Sequence, residues 1–203
     1  MNRREALLTA GTVLGAAASL RAVEPVADKG KACALAGTPL DDMHLYLCAF
    51  HVGKNKEDSK LQVEAHHYCM EVRPGLFQCI VLESNKAKAR FLGIEYIVSN
   101  EIYQSFEPQE KEFWHPHDYE VSSGLLVAPN LTPDEETKLM EGVKTTWGKT
   151  WHTWANPNDK FPLGKPILMG AFDKDGQIDA ELIKKRDKDL KIDTDAIRKR
   201  RAK

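Results

Sequence analysis

Two strand-like runs joined by a Pro-Gly turn constrain this chain more than any other feature. Residues 62–72 and 77–83 flank Arg73-Pro74-Gly75-Leu76. Pro-Gly marks a turn. A bare two-residue type II turn would splay the strands, so a slightly longer loop or a bulge is expected. A third run, 91–98, is dense in apolar residues and reads as a central strand. Residues 119–127, 150–154 and 167–172 read as further strands. Strands that arrive in consecutive runs, without strict alternation with helices, point to an α+β fold: a single domain with a mainly antiparallel sheet flanked by helices.

The helical readings follow from spacing and caps. Residues 39–52 carry apolar positions at Met43, Leu47 and Phe50, with Asp41 and Asp42 in the first turn and Gly53 as a stop. That helix would place His44 and His51 on one face, two turns apart. Residues 100–106 and 108–113 read as short helical turns. Thr132-Pro133-Asp134-Glu135 is a helix start with a capping box, and the helix is expected to reach Trp147. A last helix is expected over 179–190.

The N-terminus bears on location. Arg3-Arg4 is followed by an apolar stretch from Ala6 to Leu20 with small residues at Ala16-Ala17-Ala18. This is the layout of an export signal, and the arginine pair makes it twin-arginine-like. The expected organisation is a signal peptide over 1–22, a linker over 23–38, a domain over 39–192 and a basic C-terminal tail over 193–203, read as solvated. The mature chain would be periplasmic or secreted, with the export machinery as a partner. No later stretch is apolar enough to span a bilayer. The formal net charge is -1, which excludes a global field for nucleic acid.

The residues able to carry chemistry cluster. All seven histidines lie between His44 and His152, with three of the four cysteines. His66 and His67 point to opposite faces of a strand, His66 with Glu64 and Tyr68, His67 with Cys69. Only one of them can look into a shared site. His115 and His117 project to one side if the chain around Pro116 is extended. A His-x-His pair with a third histidine and a carboxylate holds Zn, Fe, Mn or Cu, because imidazole suits all of them. The metal candidates are therefore His66, His67, His115, His117 and Glu120, with Glu95 as an alternative carboxylate. The competing readings are structural: Glu95 bridged to Arg90, and Trp147, Trp151 and Trp154 packing with His152. Cys69 and Cys79 could meet across the hairpin only with a three-residue loop or a bulge. Pairing among Cys33, Cys48, Cys69 and Cys79 stays open.

Several motifs recur in one order: Leu47-Cys48-Ala49-Phe50-His51, Gln62-Val63-Glu64-Ala65-His66-His67-Tyr68-Cys69 and Gln78-Cys79, then Gly93-Ile94-Glu95-Tyr96-Ile97-Val98, Trp114-His115-Pro116-His117-Asp118-Tyr119-Glu120-Val121 and Gly148-Lys149-Thr150-Trp151-His152-Thr153-Trp154. In these the chain closely resembles the oil body-associated protein family (DUF1264), as a bacterial-type member with a twin-arginine leader. The resemblance implies no established enzymatic activity. Plant members are associated with seed oil bodies, a location the leader argues against here. It implies a site drawn from His51, His66, His67, Cys69, Cys79, His115, His117, Glu120, Lys149 and His152. Three functional readings follow: a His-rich site for a divalent transition metal, a peripheral lipid-surface or structural protein without a metal, and a small metal-dependent hydrolase or oxygenase.

Overall fold

A computed structural model of the protein describes residues 37–202. After a short 3₁₀ turn, Pro39–Asp42, come β1 (Leu45–Gly53), β2 (Gln62–Arg73), β3 (Leu76–Leu82) and β4 (Phe91–Val98). The chain continues through α1 (Asn100–Gln104), α2 (Pro108–Lys111), the two-residue β5 (His115–Pro116), α3 (Asp118–Ser123) and α4 (Pro133–Val143). It ends with β6 (Trp147–His152), β7 (Ile167–Gly170), α5 (Ala180–Leu190) and α6 (Thr194–Arg201).

The α+β architecture with an antiparallel sheet holds, and the sheet closes. Its strand order is β4-β3-β2-β1-β7-β6-β5, and β4 also pairs with β6. Six strands therefore form a barrel, and β5 pairs with the first two residues of β6. Closure removes the exposed edges that an open sheet must protect.

The Pro74-Gly75 turn sets the register. Arg73 pairs with Leu76, leaving two loop residues, and the register shifts between Glu71 and Arg73. Val72 is thus the extra residue of a bulge, which lets a turn with Gly75 at φ +76° join two strands without splaying them. The same shift sets Cys69 opposite Cys79, and the two form a disulfide.

Four local expectations are corrected. Residues 45–53 are strand β1, not helix. Five consecutive residues of β1, from Leu47 to His51, are buried, so the strand reads as a continuous apolar run that periodicity cannot tell from a helix. Residues 118–123 are helix α3, stopped by Gly124 at φ +79°, and not part of a strand. The helix starting at Thr132 has its capping box but ends at Val143, because β6 begins at Trp147. The basic C-terminal run is α6, not a solvated tail. Ile197 is buried, Arg200 and Arg201 pair with buried Glu136, and Arg201 also donates to the Leu126 carbonyl.

Helices α5 and α6 cover the outer face of β1. Phe50 packs with Leu125, Phe172, Leu182 and Ile183, and Cys48 packs with Val127 and Ile197. Arg186 on α5 is fully buried between them. It donates to the carbonyls of Leu125 and Gly124 at 2.8 and 3.1 Å and lies over the Phe50 ring. Among the described residues no helix is long and apolar enough to cross a membrane.

Candidate metal centre

Antiparallel pairing decides which side chains enter the barrel, because directly paired residues share a face. From His67 the register runs to Leu47 and Val81, from Cys79 to Glu95, and from Glu95 to Thr150. His51, His67, Glu95, Thr150 and His152 therefore all point inward. β5 pairs His115 with Gly148, which adds His115 to the same face. His117 follows as the first cap residue of α3, with helical φ and ψ. These groups form a polar layer between two apolar clusters. On one side lie Leu47, Ala49, Ile97, Val121, Leu126 and Met140; on the other, Val63, Ala65, Val81, Leu92 and Met169.

The Glu95 carboxylate is the centre of the layer. One oxygen, Oε2, lies 2.7 Å from His67 Nε2 and 3.4 Å from His51 Nε2. The other, Oε1, lies 3.2 Å from His117 Nε2 and 3.6 Å from His115 Nε2. His67 Nε2 is 3.1 Å from His51 Nε2, and His51 Nδ1 is 2.9 Å from His152 Nε2. All six groups are buried. Two triads, His51-His67-Glu95 and Glu95-His115-His117, each bring three ligand atoms within 4.8 Å of one another.

The electrostatics favour a cation. Burial pushes the Glu95 carboxyl up, but the His67 ring beside it and hydrogen bonds from His117, His51 and His67 outweigh burial and hold it well below the usual carboxylate range. Burial lowers His51, and lowers His115 and His152 strongly, so these rings are neutral at neutral pH. A neutral imidazole has a lone pair to offer a metal.

For His117 the tautomer can be assigned. Thr146 Oγ1 donates its single proton to the Val143 carbonyl at 2.7 Å, so at 2.8 Å from His117 Nδ1 it must accept. His117 Nδ1 therefore carries hydrogen, and Nε2 is the atom that faces Glu95 Oε1, donating to the carboxylate when it carries a proton and offering a lone pair when it does not. Two acceptors 3.2 Å apart need a shared cation or an extra proton between them.

Space is provided by absence of a side chain. A Cβ on Gly148 would collide with Glu95 Oε1 and lie 2.7 and 2.8 Å from His117 Nε2 and His115 Nε2. A cavity of about 10 Å³ lies at the layer, lined by His51, His67, Glu95, His117 and Glu120. That is close to the volume one water or ion needs. Glu120 is buried with Oε1 unpartnered, and burial followed by the charge of Glu95 raises its carboxyl well above the usual range.

The other sequence candidates lie elsewhere. His66 is on the outer face, 3.0 Å from Glu64 and 2.8 Å from the Tyr46 hydroxyl, with Lys185 on the other oxygen of Glu64. Lys149 points outward and pairs with Glu110 at 2.6 Å. Cys69 and Cys79 face the lumen but are consumed in the disulfide. Arg90 pairs with Glu83 and not with Glu95. His44 is exposed at the end of the 3₁₀ turn. His152, read as packing among tryptophans, instead turns into the lumen against His51. Sequence reasoning missed Gly148, Thr146 and Thr150; the small residues alternating along β6 were the only available signal.

No solved structure matches this chain significantly. The family model described as "Protein of unknown function (DUF1264)" matches residues 37–203, and the chain belongs to this family. Curated relatives include Oil body-associated protein 1B of Arabidopsis thaliana, 36% identical over 73% of this chain and 61% of its own length. Oil body-associated protein 2A of the same plant is 38% identical over 80% of this chain and 66% of its own length. Oil body-associated protein 1A of Zea mays is 38% identical over 71% and 60%. The chain thus spans less than two thirds of the length of the curated relatives it matches.

Proposed function

We propose that this protein binds one divalent transition-metal ion inside its barrel, held by His51, His67, His117 and Glu95 with His115 beside them. The observation that carries this reading is the convergence of four imidazole Nε2 atoms on one buried, ionised carboxylate, over a glycine that leaves them room. Nitrogen and oxygen donors of this kind suit Zn, Fe, Mn or Cu. Glu120 lines the same cavity with a carboxyl that burial raises well above the usual range, and it would be the group to exchange protons with a water on a bound ion. Elemental analysis of protein purified without chelators tests the reading. We expect close to one equivalent of metal, lost in Glu95→Gln and retained in His66→Ala, whose ring lies outside the barrel. Less than about a tenth of an equivalent in the unaltered protein would refute it.

A second reading is favoured by a different surface. Tyr46, Tyr68, Ile80, Ile94 and Trp151 form one cross-strand row on the outside of the barrel, and none of them is fully buried. Relatives named as oil body-associated lend this row a lipid partner. On this reading the protein docks peripherally on a lipid surface, and flotation with neutral and anionic vesicles tests it; no binding to either would end it.

We further infer export through the leader. The twin-arginine-like segment lies outside the described residues. The Cys69–Cys79 disulfide supports the inference, since such bonds persist in oxidising compartments. Replacing Arg3 and Arg4 together by lysine should leave the full chain in the cytoplasm; unchanged fractionation would count against a twin-arginine route.

A further inference from the structure

A second cavity, of about 320 Å³, lies at the end of the barrel under α4. Its lining is Leu45, Leu47, Phe77, Ile97, Leu139 and Val143, with Ser99, Gly142, Thr145 and Thr146. Among the described residues no charged side chain lines it. Exposed Gly142 and Thr145 mark the mouth, and Leu47 and Ile97 form the floor. The same two side chains line the small cavity at the histidines. Thr146, on the wall, is the residue that orients His117. The cavity is therefore separated from the polar layer by one layer of side chains.

We propose that this cavity is a binding site for a small, uncharged, apolar molecule, seated directly over the histidine–glutamate layer. Two features select that occupant. A mainly aliphatic and aromatic lining with no compensating charge disfavours an ion, because burying a charge without a partner is strongly unfavourable. The volume sets the size. A cavity near 150 Å³ takes one benzene, so this one takes a hydrocarbon of roughly 10 to 12 carbons. It also falls at the lower end of the ~300–1,000 Å³ of small-molecule sites. This goes beyond the metal reading and does not depend on it.

The test is a homologous series of 1-alkanols from hexanol to tetradecanol, titrated into the full-length protein by calorimetry. Saturable one-site binding is expected, tightening to an optimum near decanol and weakening beyond it. Decanoate should bind at least about tenfold more weakly than decanol, since a carboxylate finds no partner in the lining. Gly142→Trp puts a bulky ring at the mouth of the cavity, where the added Cβ itself meets nothing within 4 Å, and circular dichroism checks that the variant is folded. It should lose at least about tenfold in decanol affinity, while its metal content stays that of the unaltered protein. Phe77→Ala should move the optimum to a longer chain. Absence of saturable binding, equal binding by Gly142→Trp, or tighter binding of decanoate than of decanol would each overturn the proposal. Binding that disappears as protein concentration rises would assign the cavity to a second copy of the chain and overturn it too.

Discussion

Gly148→Ala is the sharpest perturbation of the polar layer. The backbone at 148 is not in the left-handed region, so alanine meets no conformational barrier there. All of the cost must come from the added methyl. It would overlap Glu95 Oε1 and crowd the Nε2 atoms of His117 and His115. Glu95 cannot simply swing away, because His67 and His51 hold its other oxygen and the layer is closed above and below by apolar side chains. Overpacking of this kind costs about 1–3 kcal/mol. Alanine returns roughly 0.4–1 kcal/mol by restricting the unfolded chain. A net loss of about 1–2 kcal/mol corresponds to a fall in Tm of roughly 2–8 °C for a domain of this size. Thermal unfolding by circular dichroism, with and without chelator, reads it, and metal content measured alongside should fall with it. Gly142→Ala is the control, since its Cβ has open space, and it should raise stability by up to about 1 kcal/mol. A Gly148→Ala protein as stable and as metal-rich as the unaltered one would show that the carboxylate and imidazoles are not held where the structure puts them.

Three further outcomes are expected. Replacing Cys69 and Cys79 by serine should cost roughly 3 kcal/mol, as chain entropy predicts for a bridge of sequence separation 10, seen as a lower denaturant midpoint. Arg186→Met should destabilise by about 3 kcal/mol or more, since two backbone carbonyls and Asp187 lose the group that joins α5 to the α3 end and α6; urea melts at two protein concentrations would check it. Glu64 is pushed up by burial but pulled lower overall by hydrogen bonds from His66 and Lys185, so its folded pKa lies below its unfolded one. Its contribution is then present above about pH 4.5 and lost as pH falls through the folded value. The stability deficit of Glu64→Gln should accordingly be full at pH 7 and close on acidification, and a deficit that grew toward low pH would contradict the assignment.

What could be read in the sequence follows from where local signals are strong. The Pro74-Gly75 hairpin, the bulge it demands and the capping box at Thr132 are local chemistry, and they stand in the structure as expected. The split of His66 from His67 across a strand follows from period-two geometry. It correctly predicts that only one enters a common site, with His66 kept by Glu64. What failed was non-local. β1 is covered on its outer face by α5 and α6 and on its inner face by the lumen, and burial on both sides erases the alternation that marks a strand. That error alone moved His51 from the lumen to the face of a helix. Barrel closure through β4 and β6 depends on the pairing of residues about 50 apart, which no spacing reveals. Gly148 was invisible for the same reason, because a glycine that leaves room for side chains from β4, β5 and α3 shows its purpose only after closure.

The polar layer is also hard to explain as a stabilising device. A buried carboxylate and five buried histidines interrupt what would otherwise be one continuous apolar filling of a small barrel. Replacing buried ionic groups by apolar ones of similar volume is often neutral or stabilising, so packing alone does not call for this layer. The hydrogen-bond accounting points the same way. His67 Nδ1, His115 Nδ1, His152 Nδ1, Thr150 Oγ1 and Glu120 Oε1 are all buried without a partner, and each such atom costs about 1–3 kcal/mol. Among the described residues the unsatisfied buried polar atoms concentrate in this one layer, around one ionised carboxylate, with Arg201 Nε outside it. A cation held by the Nε2 atoms would replace their close N···N and N···O contacts with coordination by their lone pairs. Stabilisation by added metal should therefore exceed what a surface site would give, and should vanish with Glu95, because that carboxylate is the one group to which His51, His67, His115 and His117 all turn.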